Sequence, residues 1–163
     1  MRALPFLALA LLLSGCGFQL RGTADLPFDT VFVSGSGGIV LDIKRNIQAG
    51  SRTLVVDDPK TAQAVLEFTQ ESRQKDILSL SAAGRVREFR LLYRVGFRVH
   101  DGKGGEYLPV STLQLARDIT YSDADVLAKE TEEQLLYRDM QSDMVRQIIR
   151  RLAEAKKPKP VAQ

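Results

Sequence analysis

Three patterns in this 163-residue chain predict an α+β fold, with two helices packed on one face of a mostly antiparallel sheet of about four strands. First, Phe89, Leu91, Tyr93, Val95, Phe97 and Val99 alternate with Glu88, Arg90, Arg94, Arg98 and His100. A period of two sustained over that length is a strand with one buried face. Second, Ile39, Val40, Ile43 and Ile47 recur at helical spacing among Asp42, Lys44, Arg45 and Gln48. Third, Leu136, Met140, Met144 and Ile148 form a longer stripe, widened by Val145, Ile149 and Leu152. A one-faced sheet and two amphipathic helices bury their apolar sides against each other.

The elements follow in order. Thr30 to Ser34 is a short β-type run, closed by Gly35-Ser36-Gly37-Gly38. The first helix runs from Gly38 to Ala49, with Gly50 placed as its C-terminal cap. Thr53 to Val56 is a second short strand, stopped by Asp57-Asp58-Pro59. Ala64 to Arg73 alternates, and Asp76 to Gly84 is expected to be a connection. Arg85 to His100 is the long strand, Asp101-Gly102-Lys103-Gly104-Gly105 a turn, and Tyr107 to Tyr121 the returning strand, with Leu113, Leu115, Ile119 and Tyr121 in phase. Ser122 with Asp125 resembles a capping box. In the helix that follows, acids such as Glu130, Glu132 and Glu133 come early and Arg150 late, which complements its dipole. Residues 156–163, rich in Lys and Pro, cannot continue a helix and are expected to be disordered.

The N-terminus carries its own signal. Arg2 is followed by the apolar run Ala3 to Leu13, too short to span a bilayer, and then by Ser14-Gly15-Cys16. Leu13-Ser14-Gly15-Cys16 has the form of a bacterial lipoprotein cleavage site. Removal of residues 1–15 would make Cys16 the first residue, carrying a diacylglyceryl thioether and an N-acyl group. Two or three acyl chains hold stably to a membrane where one does not. By the usual sorting behaviour of such proteins, Gly17 in place of Asp directs the chain to the outer membrane. Residues 16–29, with Gly17, Gly22 and Pro27, are expected to be a tether, and 30–155 a single domain.

A net charge of +3 is too small for a bulk nucleic-acid binder, so any anion contact must be local. No catalytic set is visible. His100 is the one histidine, and with Cys16 acylated no Cys/His cluster can hold zinc. There is no Gly-x-Ser-x-Gly elbow. Gly35-Ser36-Gly37-Gly38 lacks the Lys-Ser/Thr ending of a phosphate loop and is better explained as a turn. Asp57-Asp58 and Asp123/Asp125 lie at element boundaries, where turn and capping roles suffice. Arg85, Arg87, Arg90, Arg94 and Arg98 along one strand make either a solvated face that discourages edge pairing or a contact surface for anions or protein.

Several stretches, taken in order, resemble the outer-membrane lipopolysaccharide-assembly lipoproteins, the LptE or rare-lipoprotein-B family. They are Cys16-Gly17-Phe18-Gln19-Leu20-Arg21-Gly22, the strand from Gly84-Arg85-Val86-Arg87-Glu88-Phe89 to Val99 with Asp101-Gly102, Arg117-Asp118-Ile119-Thr120-Tyr121-Ser122-Asp123 leading into Val126-Leu127-Ala128-Lys129-Glu130, and Gln147-Ile148-Ile149-Arg150-Arg151-Leu152. The resemblance spans Cys16 to about Ala155. It implies two helices over a four-stranded sheet and a non-enzymatic role without cofactors. It also implies a chain that plugs and helps assemble a large outer-membrane β-barrel translocon and binds lipopolysaccharide. Lys129 falls where the family has a basic lipopolysaccharide-binding residue. A second such residue falls near Ser81–Ala82, where this sequence departs from the pattern; Arg85 is a candidate substitute, with Arg73 and Lys75 across the loop. The alternative is a free-standing lipoprotein acting as a ligand-binding or structural adaptor; a lipid-anchored hydrolase is the weakest reading.

Overall fold

The computed structural model describes residues 25–158. The expected signal segment, Cys16, the tether up to residue 24 and the tail from residue 159 lie outside them. The elements are β1 (Thr30–Val33), α1 (Gly38–Gly50), β2 (Leu54–Val55), β3 (Ala64–Leu80), β4 (Val86–His100), β5 (Glu106–Thr120), a 3₁₀ turn at Asp123–Asp125 and α2 (Val126–Ala153). The five strands form one sheet in the order β2-β1-β3-β4-β5. β1 runs parallel to both neighbours, and β3, β4 and β5 form an antiparallel meander. The mixed pairing follows from connectivity: α1 provides the long crossover that parallel strands need, and short turns join the meander.

Both helices cover one face. Leu91, Tyr93, Val95, Phe97 and Val99 of β4 are fully buried beneath Ile39, Ile43 and Ile47 of α1 and Met140, Met144, Ile148 and Leu152 of α2. Each such side chain contributes about 1.5–3 kcal/mol of transfer free energy. Within the expected tether, Phe28 is also in this core: its ring packs edge-on against Tyr107 at 5.4 Å, and the Thr53 hydroxyl donates to its carbonyl at 2.8 Å. In the expected tail, Pro158 lies close over Gly105 of the β4–β5 turn.

β3 departs most from expectation. It does not give way to a connection at Asp76 but runs to Leu80, leaving a turn of a few residues before β4. A bulge explains why the alternation is hard to follow. Leu66 and Phe68 oppose Val99 and Phe97, and then Thr69 is an extra residue before Gln70 meets Gly96. Beyond it the residues opposite Val95, Tyr93, Leu91 and Phe89 are Glu71, Arg73, Lys75 and Ile77. An inserted residue shifts the side-chain phase. The helix-facing row of β3 therefore changes from apolar to charged. Gly96 leaves room at this bulge: a Cβ there would sit 2.6 Å from the Thr69 hydroxyl, which would have to shift.

The capping box at the start of α2 is only half formed. The Ser122 hydroxyl accepts from the Ala124 N–H at 3.3 Å, and the 3₁₀ turn intervenes before the helix. The first turn of α2 holds Lys129 and no acid; the glutamates begin one turn later, while Arg150 and Arg151 do sit at the end.

Candidate functional site at the distal end of the sheet

The chain enters at the end of the sheet near the β4–β5 turn, and β3, β4 and β5 extend away from it. At the far end the core gives out and a pocket of mixed lining begins. Four pieces of chain build it: the second half of β3, the start of β4, the end of β5 and the first turns of α2. The pocket has a volume of about 120 Å³ and is lined by Lys75, Phe89, Tyr121, Val126, Lys129 and Glu133, among others. Its floor is aromatic, with Phe89 and Tyr121 meeting edge-to-face at 5.2 Å and 80°.

Two lysines line the pocket with that floor. The first is Lys129, whose Nζ donates to Thr120 Oγ1 at 3.0 Å and to Glu132 Oε2 at 2.9 Å. The second is Lys75, whose Nζ donates to Glu133 Oε2 at 2.6 Å and lies 4.3 Å from the centre of the Phe89 ring. A cation over an aromatic face is stabilised by the ring quadrupole. The resemblance offers Lys75 only as one of three substitutes, beside Arg85 and Arg73; the bulge turns it toward the helices, and Glu133 lies 58 residues away.

Arg85 does not join them. It lies in the β3–β4 turn, where its carbonyl accepts from the Ser81 N–H at 2.7 Å and its N–H donates to the Ser81 hydroxyl, and its side chain is exposed. It shares the distal end of the sheet with Lys129 but does not line the pocket. Arg73 is engaged elsewhere: its guanidinium stacks between the Tyr93 and Tyr137 rings and bonds Gln141 at 2.8 Å. A second groove shares Thr120 and Tyr121 with the pocket and adds Leu80, Arg87 and Glu88. Neither Arg85 nor Arg87 has a carboxylate within 4.0 Å among the described residues. Large apolar side chains stand exposed around this end: Ile77, Leu78 and Leu80 on β3 and Leu127 on α2, the last 80% exposed. Cations beside exposed aliphatic groups make a surface suited to an anionic amphiphile.

The row of arginines on the other face of β4 is occupied. Arg90 makes a two-pronged contact with Asp118 at 2.8 and 2.9 Å, Arg94 donates twice to Gln114, and Arg98 donates to Glu67 at 2.6 Å. The Arg90 guanidinium, through its hydrogen bonds first, holds the Asp118 carboxyl below its ordinary range. His100 ends β4 beside the turn, its Nδ1 accepting from the Gly102 N–H at 3.0 Å. No group of three or more His, Cys, Asp or Glu residues among the described residues is placed to hold a metal.

The sequence model of the LptE lipopolysaccharide-assembly family matches residues 28–152. The chain belongs to this family. An LPS-assembly lipoprotein LptE from Photorhabdus laumondii is 26% identical over 152 residues, spanning 90% of this chain and 82% of the relative. One from Yersinia enterocolitica is 27% identical over the same length, with 72% of the relative covered. Among solved structures, lipoprotein B from Nitrosomonas europaea superposes with a TM-score of 0.73 at 39% identity, covering 84% of this chain and 90% of that one. Rare lipoprotein B from Shewanella oneidensis shares the fold at 24% identity, with a TM-score of 0.67 over 77% of this chain and 94% of that one. The LptE-family match contains both the Lys75–Lys129 pocket and the arginine row.

Proposed function

We propose that this protein is a non-enzymatic lipoprotein subunit of the outer-membrane lipopolysaccharide translocon. It plugs and helps assemble a large β-barrel partner, and it binds lipopolysaccharide during insertion into the outer leaflet. Membership of the LptE family supports the role in lipopolysaccharide assembly. The observation that carries the binding role is the distal pocket, which Lys75 and Lys129 line together with Phe89 and Tyr121 beside exposed aliphatic side chains. Phosphate groups pair with such ammoniums without requiring a strongly basic protein. The outer face of the sheet, with its arginines already paired, is a rigid polar surface that suits a hydrated barrel lumen. No helix among the described residues is long and apolar enough to cross a membrane, so the reading assigns membrane attachment to lipid on Cys16.

The test is an affinity pull-down from detergent-solubilised outer membranes, with a tag after Gln163, followed by mass spectrometry. One large β-barrel protein in near-equal amount is the expected result. A folded, lipidated bait that brings down no barrel would sink the translocon reading in favour of a free-standing adaptor.

A further inference from the structure

Both pocket lysines are already engaged, and by adjacent residues of one helix turn: Glu132 holds Lys129 and Glu133 holds Lys75. We infer that Glu132 and Glu133 are built-in competitors for the anion, and that Lys75 is the second cation that anion meets. The inference rests on reading this pocket as the place where the phosphates of lipopolysaccharide are held.

Three observations support it. The two pairs are not deeply buried: side-chain exposures are 35% and 23% for Lys75 and Glu133, and 22% and 49% for Lys129 and Glu132. Partly exposed ion pairs are weak, so an incoming phosphate can displace them. The non-ionic contacts of the ammoniums survive such a displacement: Lys129 keeps Thr120 and Lys75 keeps the face of Phe89. Each cation therefore stays positioned when its glutamate swings away, and neither glutamate is needed to place it. Finally, Lys75 and Lys129 line one pocket together, so a single anion entering it can meet both ammonium groups. A carrier that must release its load gains from ligands of its own that reclaim the cations. Glu130 also lines the pocket and adds to the negative potential an anion must overcome.

The test is a titration of the full chain in detergent micelles at low salt. The probes are phosphorylated lipid A and the same lipid stripped of its phosphates. Lys75→Gln and Lys129→Gln should each weaken binding of phosphorylated lipid A about five-fold or more. Glu132→Gln and Glu133→Gln should tighten it about two- to five-fold, as freeing a partly exposed ion pair allows. Neither glutamate variant should affect the phosphate-free probe. Lysine variants that weaken binding, with glutamate variants that leave it equal or weaker, would overturn the competitor role and leave the binding site standing. Lysine variants without effect would overturn both. Glu132 is the more exposed partner, so Glu132→Gln carries the test if Glu133→Gln melts early.

Discussion

Tyr93 shows how one side chain joins the apolar and charged halves of the helix-facing sheet. Its ring is fully buried, yet its hydroxyl donates to Glu71 Oε1 at 2.7 Å, and Arg73 lies 5.2 Å from its centre. Burial, and then the neighbouring Glu71 carboxylate, hold its phenol well above the ordinary range. Burial raises Tyr107 and Tyr137 in the same direction. A phenol whose folded pKa exceeds its unfolded value contributes stability that is intact below about pH 10 and lost as pH rises beyond it. Tyr93→Phe should therefore have two effects in chemical denaturation. At neutral pH it should cost about 1 kcal/mol for the lost hydrogen bond. Above pH ~10 the variant should lose stability less steeply than the parent. Parallel curves at alkaline pH would mean that Tyr93 is not a source of the alkaline loss.

At the scale of elements, α2 holds the layers together. It lies over β4 and β5, contacts α1 through Gln141, whose amide donates to Asp42 at 2.6 Å, and contributes Lys129, Glu132 and Glu133 at its far end. Met144 is fully buried in its apolar stripe. Met144→Asp should lower stability by more than about 3 kcal/mol, since an unpaired charge would enter the core. Leu135→Asp, at a half-exposed position of the same helix, should stay within about 0.5 kcal/mol of the parent. Equal melting temperatures for the two variants would contradict this burial. The same element shows what was legible in the sequence. The stripes of α1 and α2 and the alternation of β4 could be read because most residues of each row, Leu91 to Val99 on β4, meet one apolar partner layer. β3 beyond Phe68 could not, because Thr69 shifts the phase and the helix-facing row becomes Glu71, Arg73 and Lys75. The pocket was half legible for the same reason. Resemblance to the family pointed to Lys129 and offered Lys75 only as one of three substitutes for the second cation, whereas Phe89 and Tyr121 join these lysines only once β3, β4 and β5 are in register.

For the molecule as a whole, the two ends of the sheet have separate roles. The chain enters beside Phe28 and the β4–β5 turn, and the pocket lies at the opposite end. In the proposed arrangement the lipid on Cys16 holds one end and leaves the other free to meet its ligand. Cys16→Ala should move the protein from the membrane fraction to the soluble one; unchanged fractionation in cells lacking the barrel partner would count against the lipid anchor. The outer face between these ends has a kinetic consequence. Arg90 and Arg98 are matched by the carboxylates of Asp118 and Glu67, and only Arg94, bonded to the neutral Gln114 amide, keeps its charge uncompensated, so the row projects a small long-range field. A partner meeting this face would find it with little electrostatic guidance, near the range of about 10⁵–10⁶ M⁻¹s⁻¹. Ionic strength would scarcely change that rate. Recognition would then depend on how well two polar surfaces fit once they touch, and the waiting time for the encounter would be set by how narrowly the anchor confines the search.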